Sequence, residues 1–232
     1  MRIAVTQSNY LPWKGYFDTI AAVDELVLLD CVQYTRRDWR NRNVIKTRAG
    51  LRWITVPVRS KGRSSQAIDE SAIDGRAWIS AHLATVRHAY ARAPAFSDEF
   101  PWLETLLSSA PTDTLAGLNR ALIEACCARL GIATKIRDSR EFELPGGRVE
   151  RLLAICEKTG ATEYVTGPAA RAYLDPAEFS RHGVRVRWKS YADYPPYDQP
   201  YPPFEHRVSI VDTLMCTGRA AARVIRSAEA FE

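Results

Sequence analysis

The chain has 232 residues, 46% of them apolar and 25% charged, which is enough to bury a large core and excludes a disordered polar chain. No run reaches the roughly 18 apolar residues that a membrane span needs, and no basic stretch followed by an apolar segment opens the sequence, so a cytoplasmic protein without a membrane span is expected. Five cysteines at positions 31, 126, 127, 156 and 216 form no Cys-x-x-Cys pair and have no histidine at zinc-ligand spacing, which fits a reduced compartment and no structural metal.

RIAVT at residues 2–6 reads as an apolar strand. It runs into a polar-aromatic elbow, then a helix over about 16–23 and a second strand over 26–30 ending at Asp30. A strand that stops in a loop holding Gln7, Asn9, Tyr10, Trp13 and Tyr16 places hydrogen-bonding groups at the carboxyl edge of a sheet, where α/β proteins bind ligands. A basic loop follows, and then a strand near 52–58 that Pro57 confines to an edge or a bulge.

The middle third reads as helical. Ile79, Leu83, Val86 and Tyr90 recur at helical spacing, as do Leu115, Leu118, Leu122, Ile123, Cys126 and Leu130, and Gly131 supplies a stop. Helix-then-strand order then returns: a stripe of Val149, Leu152, Leu153 and Cys156, a stop at Gly160, the strand EYVTG, and a turn at Gly167 and Pro168 that starts a further helix. Asp175, Pro176 and Glu178 open a short helix closed by Gly183, and Val184, Val186 and Trp188 alternate with basic residues as a half-buried strand. This order predicts an α/β fold in one domain over 1–232, a largely parallel sheet flanked by helices, with a helical middle segment over about 75–131.

Two biased segments stand out. Arg36, Arg37, Arg40, Arg42, Lys46, Arg48 and Arg52 share a short span with one acid, Asp38; the span reads as a phosphate-attracting face, as an RNA-stacking face with Tyr34, Trp39 and Trp53, or as a solvated basic face. YADYPPYDQPYPPF at 191–204 reads as an extended loop displaying Tyr191, Tyr194, Tyr197, Tyr201 and Phe204. It is either a lid over a ligand or a loop packed on the core.

The candidate site gathers Gln7, Asn9, Tyr10 and Trp13 on the elbow with Asp30 and Gln33 after the second strand, then Arg42, Asn43 and Lys46. Amide side chains orient a substrate without fixed charge, while a guanidinium or ammonium holds phosphate or carboxylate. Arg171, after the Gly167-Pro168 turn, is a further anion binder if a helix start faces the site. Asp30 reads as a general base for an attacking amine or as a loop cap. His82, four residues after Trp78 and beside the apolar stripe, reads as an acid-base group facing a cleft or as a buried histidine stacked on Trp78. Asp212, three residues after Ser209, reads as part of a capping pair. No P-loop and no G-x-G-x-x-G is present.

The runs QSNYLPWKGYFD, LLDCVQY, NRNVIK and WITVPV, with RLLAICEKTGATEYVTG, YLDPAEF and SIVDTLM further on, resemble the WbqC-like family over nearly the whole chain. These are bacterial proteins often encoded among genes for O-antigen and other glycan synthesis. The resemblance implies a transferase that decorates a small amine or amino-sugar nucleotide, with aminoacyl (glycyl) amide formation as one role. Such a step uses ATP or an activated acyl donor. Family members usually carry His-Gln-Pro-Asn where this chain has Thr6, Gln7, Ser8 and Asn9, and a second Asp in place of Cys31, which points to an altered substrate or a lost activity. A non-catalytic binding protein for a glycan or nucleotide intermediate, and an RNA-dependent aminoacyl transferase, are the alternative classes. At the fold level, Trp13-Lys14-Gly15-Tyr16 stands where nucleotidyltransferase-like proteins place His-x-Gly-His, with aromatic residues instead of the histidines.

Overall fold

The computed structural model describes residues 1–63, 65–227 and 231. The apolar run of β1 (Arg2–Thr6) leads through the elbow to α1 (Lys14–Ala21) and β2 (Glu25–Leu28). A hairpin of β3 (Arg42–Thr47) and β4 (Gly50–Thr55) follows, then the middle helices α2 (Ala77–Tyr90), α3 (Phe96–Ser109) and α4 (Leu115–Arg129). The chain continues through β5 (Lys135–Asp138), α5 (Arg148–Thr159), β6 (Glu163–Thr166), α6 (Pro176–Arg181) and β7 (Arg185–Trp188). It closes with α7 (Ile210–Thr217) and the single turn α8 (Ala221–Val224).

Five strands form one sheet in the order β5-β2-β1-β6-β7, and each neighbouring pair is parallel. Side chains alternate across such strands, so a parallel sheet buries both faces. Ile3, Val27 and Tyr164 point into a core completed by Leu152, Ile155 and Cys156 of α5 and Phe179 of α6. Ala4, Leu26, Leu28 and Val165 point the other way, into a larger core with Phe17 and Ile20 of α1, the inner faces of α2, α3 and α4, and Ile210 and Leu214 of α7. Each fully buried Ile, Leu or Phe contributes about 1.5–3 kcal/mol. The expected α/β fold with a parallel sheet is therefore present.

Local differences from the expectation have local causes. The first helix starts at Lys14 and the second strand ends at Leu28, so the elbow is tighter and Asp30 lies beyond the strand. The basic span is only partly a loop: Arg42–Thr47 is a strand because Val44 and Ile45 are buried, and it pairs antiparallel with Gly50–Thr55 through a turn at Gly50, whose φ is 102°. The partner strand ends at Thr55, before Pro57. β5, four residues with no fully buried side chain, has no apolar run to announce it. Gly131, Gly160 and Gly183 close their helices as expected. The 191–204 segment forms neither helix nor strand, and among the described residues no helix is long and apolar enough to cross a membrane.

Candidate active-site cleft

The chain builds outward from β1 to β2 to β5, then crosses back to the other side of β1 for β6 and β7. The strand order therefore reverses between β1 and β6, and loops that leave these two strands in opposite directions open a crevice at their carboxyl ends. A cleft of about 750 Å³ lies there. Thr6 and Gln7 line it from the end of β1, and Thr166 and Gly167 from the end of β6. Trp13, Tyr16, Tyr173 and Tyr191 give aromatic walls, while Gln33 and Thr35 close the side near β2.

Trp13 is held in place from three sides. Its ring lies 5.4 Å from that of Tyr191 and 5.9 Å from that of Tyr194, and its indole folds back over Gly15. A Cβ at Gly15 would lie 2.3 Å from the indole, so only glycine leaves room for it. The Tyr16 hydroxyl donates to the Gln7 carbonyl at 3.2 Å, and the Tyr191 hydroxyl meets Thr19 at 3.1 Å.

The positive charge of the cleft comes from α5. Arg148 and Arg151 line it. Arg148 stacks its guanidinium 4.6 Å from the Tyr173 ring centroid, while Arg151 donates to the carbonyls of Pro145 at 2.8 Å and Gly146 at 2.6 Å and braces the loop before the helix. The Glu150 carboxylate folds over Gly147 at the helix start, so the arginines, rather than the helix end, are the cationic groups offered to a ligand. Their sequence signal is the Gly146-Gly147 pair ahead of an apolar stripe, which does not single out Arg148, Arg151 or Tyr173.

Of the residues expected at the site, Gln7, Trp13 and Gln33 line the cleft. Asn9 and Asp30 lie beneath the elbow. Asp30 is buried, and its carboxylate accepts the Ser8 backbone N–H at 2.8 Å. Burial raises its proton affinity, opposed by hydrogen bonds from Ser8 and by the Arg40 charge. Arg40 donates to Asn9, and Asn119 ties Ser8 Oγ and the Arg40 carbonyl together at 3.1 and 2.8 Å. A proline at position 8 would have no N–H to give, so the clasp on Asp30 needs a residue such as Ser8 there.

Tyr10 and His82 meet, but inside the core. The Tyr10 hydroxyl lies 3.0 Å from His82 Nδ1, and His82 Nε2 lies 3.2 Å from the Thr55 carbonyl. A carbonyl only accepts, so Nε2 carries the proton and Nδ1 accepts from Tyr10. Burial pushes the His82 pKa down to about 4, and its ring packs 5.2 Å from Trp78. His82 is thus placed as a neutral core residue stacked on Trp78.

Asn43 donates to the carbonyls of Tyr10 at 3.1 Å and Leu11 at 2.8 Å, holding the elbow where Leu11 adopts a φ of 41° that a branched side chain rarely takes. Arg42 stacks 3.9 Å from the Trp53 ring on the hairpin. Lys46 is buried and donates to Gln199 at 2.8 Å and to the Pro203 carbonyl. Arg171 lies over Trp188 at 5.0 Å and is not among the cleft-lining residues. Ser209 does cap α7, accepting from Val211, but Asp212 is no cap: its carboxylate accepts from Tyr90, Tyr197 and Gln199.

Together, the sheet and the cleft define an α/β protein with a ligand-sized crevice at its topological switch point. The chain belongs to the WbqC-like protein family, whose model matches residues 7–224. It is 46% identical over 225 residues to a Mycobacterium tuberculosis (strain ATCC 25618 / H37Rv) protein named "Uncharacterized protein Rv1507c", the match covering 97% of each chain. No solved structure matches.

Proposed function

We propose that the protein is a transferase that binds a phosphate-bearing amino-sugar or small-amine substrate in the switch-point cleft and couples its amine to an acyl group, an aminoacyl group such as glycyl among them. One observation carries this reading: two arginines, two amides and five aromatic rings line a cleft of about 750 Å³ at the sheet edge. Arginine suits phosphate, aromatic faces suit a base or the apolar face of a sugar, and amides suit hydroxyl and amide groups. In this reading Gln7 and Gln33 orient the acceptor, Arg148 holds the anionic group, and Trp13 and Tyr173 pack on its rings. Asp30 acts as a positioning residue through Ser8. The acyl group arrives activated, either by ATP or on a carrier.

Thermal stability against a panel of ATP, sugar nucleotides, amino-sugar nucleotides and free amino acids tests the binding step, because a ligand that binds only the folded state raises the apparent stability. An amino-sugar nucleotide should stabilise the protein, and Arg148→Ala should remove the effect. A panel without any cleft-dependent response overturns the reading.

A second reading, in which the acyl donor is carried on RNA, is favoured by the hairpin. Trp39 and Trp53 are exposed with rings 5.1 Å apart, and Arg48, Arg52 and Arg92 line a second cleft of about 750 Å³ at the hairpin tip. Stacking platforms and arginines hold single strands through phosphates, so binding of this kind should weaken steeply with salt.

A further inference from the structure

Behind the Trp13 wall lies a closed polar chamber. Lys14, the first residue of α1, is fully buried, and its Nζ has no hydrogen-bond partner among the described residues. It faces the rings of Tyr194, Tyr197 and Phe204, at 4.9, 5.2 and 5.7 Å from their centroids. These rings belong to the 191–206 strap, in which Gln199 and Tyr197 have partners of their own. Gln199 accepts from Lys46 and donates to Asp212 at 2.8 Å, and Asp212 also accepts from Tyr197 at 2.7 Å and Tyr90 at 2.8 Å.

The chamber is one acceptor short. The Asp212 carboxylate takes three donors, Lys46 has two acceptors, and Lys14 has three N–H donors with only π faces to meet them. Cation–π contact offsets only part of that loss. A second orphan stands beside it: His206 Nδ1 is also buried and without a partner. Its ring packs 4.5 Å from Phe204 and 6.4 Å from Tyr194, two of the three rings that face Lys14. Two ammonium groups against one carboxylate leave a surplus of one positive charge.

We propose that this chamber is a binding site for a small monocarboxylate, whose two oxygens accept from Lys14 Nζ and from the Nδ1–H of a neutral His206. A monoanion balances the surplus charge, whereas a phosphate dianion overshoots it. A carboxylate is planar with two acceptor oxygens, matching two orphan donors. Lys14 is fully buried while His206 is partly exposed, so the ligand enters from the His206 side as the strap lifts. The chamber abuts the cleft through Trp13, whose ring touches Tyr194. Its use as the subsite of the acyl donor rests on the transferase reading; its affinity for carboxylate does not.

The test uses the full chain at fixed ionic strength, with sodium acetate, glycine or sodium chloride as probes. Acetate should raise the melting temperature by several degrees at millimolar concentration and chloride should not. Lys14→Met should lose the response, while Arg148→Ala, which alters only the cleft, should keep it. Saturation transfer from aromatic protons to the acetate methyl in the unmodified protein gives a readout that needs no variant. Absence of both the shift and the transfer, an equal response to chloride, or an undiminished response in a folded Lys14→Met protein overturns the proposal. Sugar-nucleotide binding that depends on Arg148 is a separate measurement, so a failed cleft and a failed chamber are told apart.

Discussion

The cleft and the chamber lie on either side of Trp13 and use polar groups in opposite ways. In the cleft, Gln7, Gln33 and Arg148 stand at the ends of strands and helices, supported by backbone that would hold its shape without them. In the chamber, Asp212, Lys46, Tyr197 and Gln199 exist as partners of one another, and removing any one leaves a buried group unpaired. Function at the cleft should therefore be separable from stability, while in the chamber the two are tied.

Four experiments press on that difference. Asp212→Ala should have the largest effect, because it strands three donors and leaves Lys14 and Lys46 without a counter-charge; breaking a buried pair of this kind costs about 3–5 kcal/mol, measurable by denaturant unfolding. A smaller loss should follow acidification. His82 has its pKa lowered by burial from 6.5 to about 4. Above pH 6.5 it is neutral in both states and its contribution is complete; as the pH falls from 6.5 to about 4 only the unfolded state takes the proton, and stability of roughly 3 kcal/mol is lost. His82→Gln should flatten that part of the stability profile relative to the unmodified protein.

Lys14→Met should act in the opposite direction. An apolar chain of similar length removes an unsatisfied buried ammonium and should stabilise the protein by about 1–3 kcal/mol near neutral pH. Burial lowers the Lys14 pKa from 10.5 to about 8, against the attraction of Asp212. The cost of the charged form is present in full below pH 8 and fades as the pH rises toward 10.5, so the gain from the substitution should shrink over the same interval. Arg148→Ala should change unfolding least, by under about 0.5 kcal/mol, as expected for an exposed surface position. It should still weaken a phosphate-bearing cleft ligand by about tenfold, the loss of a charge-assisted contact. A large loss of stability in Arg148→Ala, or none in Asp212→Ala, would erase the contrast between the two regions.

The sequence showed the parts of this arrangement that are local. β1 and β6 are apolar runs ended by glycine or polar loops, and the elbow announces itself through Gln7 and Trp13 within a few residues. β3 was hidden because Arg42, Asn43 and Lys46 interrupt a strand whose two apolar residues are all that bury it. The cleft arginines were hidden by the crossover: Arg148 and Gln7 line one cleft only because the chain returns to the far side of β1. Lys14 and Asp212 were hidden more deeply. They are 198 positions apart, and a lysine at a helix start or an acid after Ser209 looks like ordinary surface chemistry until the strap is folded over both. Asp30 and His82 show the same limit, since their residue types suit catalysis but their neighbours, Ser8 and Trp78, turn them inward.

The packing of Trp13 against Tyr191, Tyr194 and Gly15 gives the molecule a built-in optical probe. Its indole touches the strap on one side and the open cleft on the other, so its emission wavelength and quenching by iodide register both events. With the other five tryptophans, Trp39, Trp53, Trp78, Trp102 and Trp188, changed to phenylalanine so that Trp13 is the sole indole, a shift on adding acetate would time the lifting of the strap, and a shift on adding a cleft ligand would time the filling of the crevice. One side chain then gives the order in which two compartments are occupied.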